Sequence, residues 1–208
     1  LHPPACWGVF FCLPWQVEYA TFILFFLTSA MTLKDFLQLC QNRRSIRYFD
    51  ERPVSKEDIQ TLISIATLSP SVENTQPWHF HVLLNKSIRE QMMEVSCYGN
   101  FIVGAGAFIV ITCDRTAKPA TRDVIWNPKE LEYSCASAIS MAMLAAECMH
   151  LGTCWVSLHH GRAHEILQLS NTEIIIGGLM VGYMKDDENV ASAPHDRKSL
   201  ADTCTFHE

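Results

Sequence analysis

The sequence predicts a single α+β domain, and three observations lead there. Apolar residues recur at helical spacing over 32–42, 55–68 and 132–151. By contrast, 78–84 alternates apolar and polar residues, and 107–113 and 174–183 run continuously apolar, as strands do. Finally, 208 residues that are 49% apolar and 18% charged suffice for one sizeable core, with room for an appendage. No internal repeat or low-complexity tract subdivides the chain.

A formal net charge of −6 and a pI near 5.8 lack the basic footprint of a nucleic-acid-binding protein, so no nucleic-acid partner is expected. The nine cysteines are odd in number and contain no C-x-x-C pair. They read as reduced, mostly buried thiols of a cytoplasmic protein rather than as a disulfide framework.

Residues 1–30 differ in texture from the rest: Glu18 is the one charged side chain, and 20–27 is an apolar run. A signal peptide would carry a basic leading segment, which is missing, although Thr28-Ser29-Ala30 resembles a small-residue cleavage site. A membrane span needs about 20 apolar residues, and Pro14 and Glu18 interrupt this stretch. The adopted reading is a hydrophobic extension over 1–30 outside the fold and a folded domain over 31–208, with a membrane anchor as the alternative.

From Met31 onward, Leu33, Phe36, Leu37 and Cys40 give a helix over 32–42 with one buried face. It delivers Asn42-Arg43-Arg44-Ser45-Ile46-Arg47-Tyr48-Phe49-Asp50, where three guanidinium groups and a hydroxyl fall within five residues. Arginine's planar fork matches phosphate oxygens, so the stretch reads as an anion site; a solvated basic helix end is the alternative. Ser55 with Asp58 resembles a capping box for a helix carrying Ile59, Leu62, Ile63 and Ala66. Ser69-Pro70 ends that helix, because the residue before proline is pushed out of the helical region.

A loop over 69–77 leads into the 78–84 strand, with Trp78, Phe80 and Val82 on one face and His79 and His81 on the other. The two histidines could serve a metal, but with no carboxylate or cysteine beside them they read as polar-face residues. Ser87 with Glu90 suggests a capped helix to about residue 98, and 107–113 is a buried strand. The polar loop 114–129 has the length of a lid or binding loop. The longest helix, 132–151, is rich in alanine and serine and reads as a central buried or dimer-interface helix stopped by Gly152. A strand over 154–158, a helix over 162–169, a strand over 174–183 and a polar tail bearing Arg197-Lys198 complete the chain.

Five blocks carry a resemblance to the FMN-dependent nitroreductase family. They are Arg43-Arg44-Ser45-Ile46-Arg47-Tyr48-Phe49; the run from Ser69-Pro70-Ser71 through Asn74-Thr75-Gln76-Pro77-Trp78-His79-Phe80; Leu144-Ala145-Ala146 with Leu151-Gly152-Thr153-Cys154-Trp155; Gly182-Tyr183; and Arg197-Lys198-Ser199-Leu200. They span about 33–200, and N-x-Q-P-W-x-F some thirty residues after R-x-S-x-R is the most specific element.

The resemblance implies a three-layer α-β-α fold with a mixed, mostly antiparallel sheet, built as an intertwined homodimer with flavins at its interface. It implies that Arg43, Arg44, Ser45 and Arg47 take the FMN phosphate together with Arg197 and Lys198. Pro70, Ser71 and Asn74 would sit beside the ring, Pro70 often across the dimer interface, and the backbone from Gly152 and Thr153 to Ser157 would run past it. NADH or NADPH would reduce the flavin, and an electron-poor small molecule such as a nitroaromatic or quinone would then reoxidise it in a ping-pong cycle. Met184 stands where the family usually has proline, Tyr133-Ser134-Cys135 where an aspartate is common, and the glycine often found after Trp155 is missing. The alternatives are a flavin-consuming or reductive dehalogenase-like relative and a flavin-binding module without turnover. No G-x-G-x-x-G or G-x-S-x-G motif is present.

Overall fold

A computed structural model describes residues 31–97, 99–118, 127–185 and 197–207. The chain divides into two compact units, Leu1–Gln38 and Leu39–Glu208. The helix α1 (Leu33–Asn42), which runs through the boundary between the units, begins at a reciprocal cap: Asp35 N–H donates to Thr32 Oγ1 at 3.2 Å, and Thr32 N–H to Asp35 Oδ2 at 2.9 Å. The helix is where the periodicity puts it, but its expected buried face is not observed. None of its residues is buried, and Leu33 is 84% exposed.

The second unit is organised on a five-stranded sheet. In chain order the elements are α2 (Lys56–Ala66), a 3-10 turn (Val72–Asn74), β1 (Trp78–Leu83), α3 (Lys86–Glu94), β2 (Ser96–Cys97), a second 3-10 turn (Ile102–Gly104), β3 (Ala107–Asp114), α4 (Lys129–Cys148), β4 (Gly152–Leu158), α5 (His160–Leu167), β5 (Glu173–Gly182) and α6 (Leu200–Thr203). The strand order is β1-β3-β5-β4-β2, and every described strand pair is antiparallel. Among the described residues parallel pairing is confined to an isolated bridge between Ser45 and Thr153.

Two cores form because the central strands are apolar on both sides. One face of β3 and β5 (Ile109, Ile111, Leu179, Val181) packs with Ile59, Leu62 and Ala66 of α2 and Cys135, Ile139, Ala142 and Ala146 of α4. The other (Phe108, Val110, Ile175, Met180) joins Cys154 and Val156 of β4, Met92 of α3 and Ala163 of α5. Burying a side chain such as Phe108 completely contributes about 1.5–3 kcal/mol. On β5, a Cβ at Gly177 would lie 2.2 Å from Trp155 Nε1, and one at Gly178 would lie 2.1 Å from Phe108 Cζ. The paired glycines make room for an aromatic ring each.

Local chemistry moves several boundaries. Ser55 Oγ accepts from Asp58 N–H at 2.9 Å, the cap expected for α2, but the helix ends at Ala66, ahead of Ser69-Pro70. The third helix is capped by Asn85, whose Oδ1 accepts from Ser87 N–H at 2.8 Å, not by Ser87; it stops at Glu94. Gly152 does not end α4. His150 takes the left-handed turn (φ 56°), and Leu151 N–H closes back on Ala146 O at 2.8 Å, leaving Gly152 to open β4.

Four of the seven described cysteines, Cys40, Cys97, Cys148 and Cys204, are exposed, against the expectation of mostly buried thiols, and all seven are free. Of the loop expected over 114–129, Asp114 ends β3, Lys129 opens α4 and 119–126 fall outside the described residues, as does the whole extension over 1–30. Among the described residues no helix is long and apolar enough to cross a membrane.

Candidate functional site

The arginine segment is fixed against the start of β4. Ile46 N–H donates to Thr153 O at 2.8 Å, and Asp50 N–H to Tyr183 O at 2.9 Å, so 45–50 lies along the ends of β4 and β5. Gly152 permits the approach. A Cβ there would lie 2.9 Å from Ile46 Cβ and 2.8 Å from Met184 Cγ. Ile46 and Phe49 are buried, leaving Arg43, Arg44 and Ser45 half-buried and Arg47 exposed. The Arg44 guanidinium donates to the carbonyls of Gln41 and Arg43, and that of Arg47 to Ser45 O at 3.2 Å.

Among the described residues none of these three arginines forms an ion pair, whereas Arg52 pairs with Asp50 at 2.9 Å. Their charge reaches the end of α4 and the start of β4. Burial pushes the Glu147 carboxyl up, and Arg43, His150 and Arg44 pull it back in part. Burial likewise raises the Cys154 thiol against the opposing pull of Arg47 and Arg43. Three guanidiniums with no direct ion pair among the described residues, beside backbone at a strand start, suit a phosphate-like dianion.

The loop expected beside a ring is built differently. Glu73, Asn74 and Gln76 all take positive φ (46°, 55° and 47°), an unfavourable conformation for non-glycine residues that neighbouring bonds must stabilise. Ser71 Oγ accepts from Gln76 N–H at 3.1 Å, and Val72 N–H donates to Ser134 Oγ at 3.0 Å. Pro70, Asn74 and Gln76 are exposed. The loop is tied near the first turns of α4, at Ser134 and Ser137, whereas the arginines act on Glu147 in its last turn. Ten residues of helix from Ser137, and thirteen from Ser134, separate the tethers from Glu147 by about 15–20 Å at 1.5 Å per residue.

One protomer therefore brings Arg43, Arg44, Ser45 and Arg47 together with Gly152 and Thr153, and holds Pro70, Ser71 and Asn74 at the other end of α4. Arg197 and Lys198 are exposed ahead of α6, and among the described residues no hydrogen bond or ion pair joins them to the cluster. In the sequence Ser137 reads as a small residue of a packed helix, and Ser134 stands out only within Tyr133-Ser134-Cys135, where an aspartate is common; neither pattern assigns the hydroxyls a role. Their spacing of three, which places both hydroxyls on one helix face, was the available signal.

His79 and His81 do share a face, with ring centroids 4.6 Å apart. The His81 Nε2 lies 3.2 Å from Thr112 Oγ1 and 3.4 Å from Glu173 Oε1, beside a cleft of about 400 Å³ lined also by Gln76, Trp78 and Asp114. No described group of three or more His, Cys, Asp or Glu side chains is arranged to hold a metal.

The architecture defines the class first. A nitroreductase-like protein of Streptococcus mutans superposes with a TM-score of 0.74 at 19% identity, over 85% of this chain and 99% of that one. A provisionally named nitroreductase of Desulfovibrio desulfuricans, in complex with FMN, superposes with a TM-score of 0.69 at 24% identity, over 83% and 96%. At these identities the likeness is one of fold. In sequence, residues 40–127 match the profile of the Nitroreductase family. A protein of Archaeoglobus fulgidus, provisionally named as an NADH dehydrogenase/NAD(P)H nitroreductase, is 28% identical over 166 residues, which make up 77% of this chain and 92% of the relative. The chain thus has the fold of the nitroreductases, and over residues 40–127 its sequence is similar to the Nitroreductase family.

Proposed function

We propose that this protein is an FMN-dependent oxidoreductase that uses NADH or NADPH to reduce small electron-poor acceptors such as nitroaromatics or quinones, as a cytoplasmic homodimer. The observation that carries the reading is the cluster of three arginines with no ion pair among the described residues, held against Gly152 and Thr153 by the Ile46 to Thr153 hydrogen bond. On a chain of net charge −6, such a cradle calls for an anionic ligand, and the phosphate of FMN fits its donors. The names of the Archaeoglobus and Desulfovibrio proteins point to the same cofactor and reductant.

FMN, when bound, supplies two-electron transfer between a reduced nicotinamide and the acceptor. The chain's own part is binding and orientation. Arg43, Arg44, Arg47 and the Ser45 hydroxyl would hold the phosphate, with Arg197 and Lys198 adding charge from the tail. Pro70, Ser71 and Asn74 would line the ring, where the Asn74 amide can donate and accept. Since the cradle and this loop stand at opposite ends of α4, a homodimer that joins one protomer's arginines to its partner's loop would bring both to one cofactor. Nicotinamide and acceptor would use the same ring face in turn.

The test begins with the visible spectrum of the purified protein, or of apoprotein titrated with FMN, and continues with anaerobic additions of NADH and NADPH. Flavin absorbance that bleaches with a nicotinamide and returns on adding a quinone is the expected result. A protein that binds no FMN, or one that stays yellow with both nicotinamides, overturns it.

A further inference from the structure

We propose that Ser134 and Ser137 of α4 are positioning residues for the cofactor, acting through the 69–77 loop; this rests on the FMN reading above. The loop holds three non-glycine residues at positive φ within four positions, and such a backbone persists only where surrounding bonds stabilise it. Two side-chain bonds tie it to α4 across 62 and 68 residues of sequence: Val72 N–H to Ser134 Oγ at 3.0 Å, and the Ser69 and Ser137 hydroxyls to each other at 2.8 Å.

These tethers flank Ser71, one on each side. Ser134 is only 6% exposed, and its hydroxyl donates to Glu130 O at 2.7 Å, which leaves its oxygen free to accept from Val72. Ser71 Oγ in turn accepts from Gln76 N–H, and Thr75 N–H donates to Val72 O at 2.9 Å. The direction of Ser71 and the placement of Asn74 thus follow from two hydroxyls three residues apart on one helix. Ser140, a further turn along α4, is exposed and bonds only to Ala136 O, so it serves as a matched control.

Ser134→Ala, Ser137→Ala, Ser134→Thr and Ser140→Ala are compared by FMN titration of the apoprotein, the bound-flavin absorption band, hydrogen exchange at the Val72 amide, and thermal unfolding. Losing one neutral hydrogen bond corresponds to about threefold to tenfold in affinity. Ser134→Ala is expected to weaken FMN binding by that factor, alter the flavin band and speed Val72 exchange, with Ser134→Thr restoring all three and Ser140→Ala changing none. Should Ser134→Ala fail to fold, Ser137→Ala at its half-buried hydroxyl supplies the same affinity and spectral test. Wild-type affinity and spectrum in both alanine variants overturn the positioning role alone. Wild-type protein that binds no FMN overturns the cofactor reading, and the positioning role with it.

Discussion

Ile46 donates its backbone N–H to Thr153 O at 2.8 Å across a gap that the missing side chain of Gly152 keeps open. This bond fixes the arginine end of the segment to β4, as the Asp50 N–H to Tyr183 O bond fixes its other end beyond β5. Gly152→Ala would drive a Cβ to 2.9 Å from Ile46 Cβ, and backbone must then shift. A loss of about 1–3 kcal/mol is expected from overpacking of this kind. Thermal unfolding of the variant checks it; an unchanged midpoint would mean that the segment can move away freely.

Arg43→Ala tests the cradle itself. Arg43 is half-buried, and among the described residues it forms no ion pair, so its removal should leave apoprotein melting nearly unchanged. Removing one charge-assisted bond of about 1.5–3 kcal/mol weakens FMN affinity roughly ten- to a hundred-fold. Fluorescence titration reads this directly, and equal affinities would remove Arg43 from the site.

Gly178→Ala probes packing on the Phe108 face of the sheet. Phe108 Cζ lies 2.1 Å from where the new Cβ would stand, and Phe108 is fully buried. Displacing that ring should cost about 1–3 kcal/mol while FMN affinity in the folded fraction stays as in wild type. Denaturant unfolding together with a flavin titration separates the two effects.

Acid should weaken the fold in two stages. Burial, and then the nearby His79, hold His81 below the ordinary imidazole value of 6.5, with Glu173 pulling the other way. The folded chain binds that proton less readily than the unfolded one, so the contribution is complete above the unfolded value and is lost as pH falls through the folded one. Burial pushes Glu173 up, but bonds from Thr112, Ser170 and His81 outweigh it and leave the carboxyl below its ordinary 4.5, which places its loss at lower pH. His81→Gln should flatten the first stage and keep the second. Melting midpoints at about pH 7.5, 5.5 and 4 check this, and an unaltered profile in the variant would count against His81.

Much of the fold could be read from local pattern, because burial imposes periodicity on each element separately. The continuous apolar run of β3 and the Ser55 cap of α2 appear where the residues put them. Reading failed where two residues compete for one role. Asn85 caps α3 ahead of Ser87, and His150 makes the left-handed turn that Gly152 was expected to make. Leu33, Phe36 and Leu37 repeat at helical spacing yet stay exposed, since a period reports an apolar face without naming what covers it. The positive φ of Glu73, Asn74 and Gln76 leaves no compositional mark either, because it depends on bonds to a helix some sixty residues away.

The helix that carries Ser134 near one end and Glu147 near the other also acts as a phase constraint. Each residue added between them would lengthen the rod by about 1.5 Å and turn one end against the other by about 100°. A single insertion would aim the serine hydroxyls away from Val72 while Glu147 kept its place beside the arginines. Insertions or deletions between Ser137 and Glu147 should therefore be poorly tolerated, and only steps close to whole turns would keep both ends in phase.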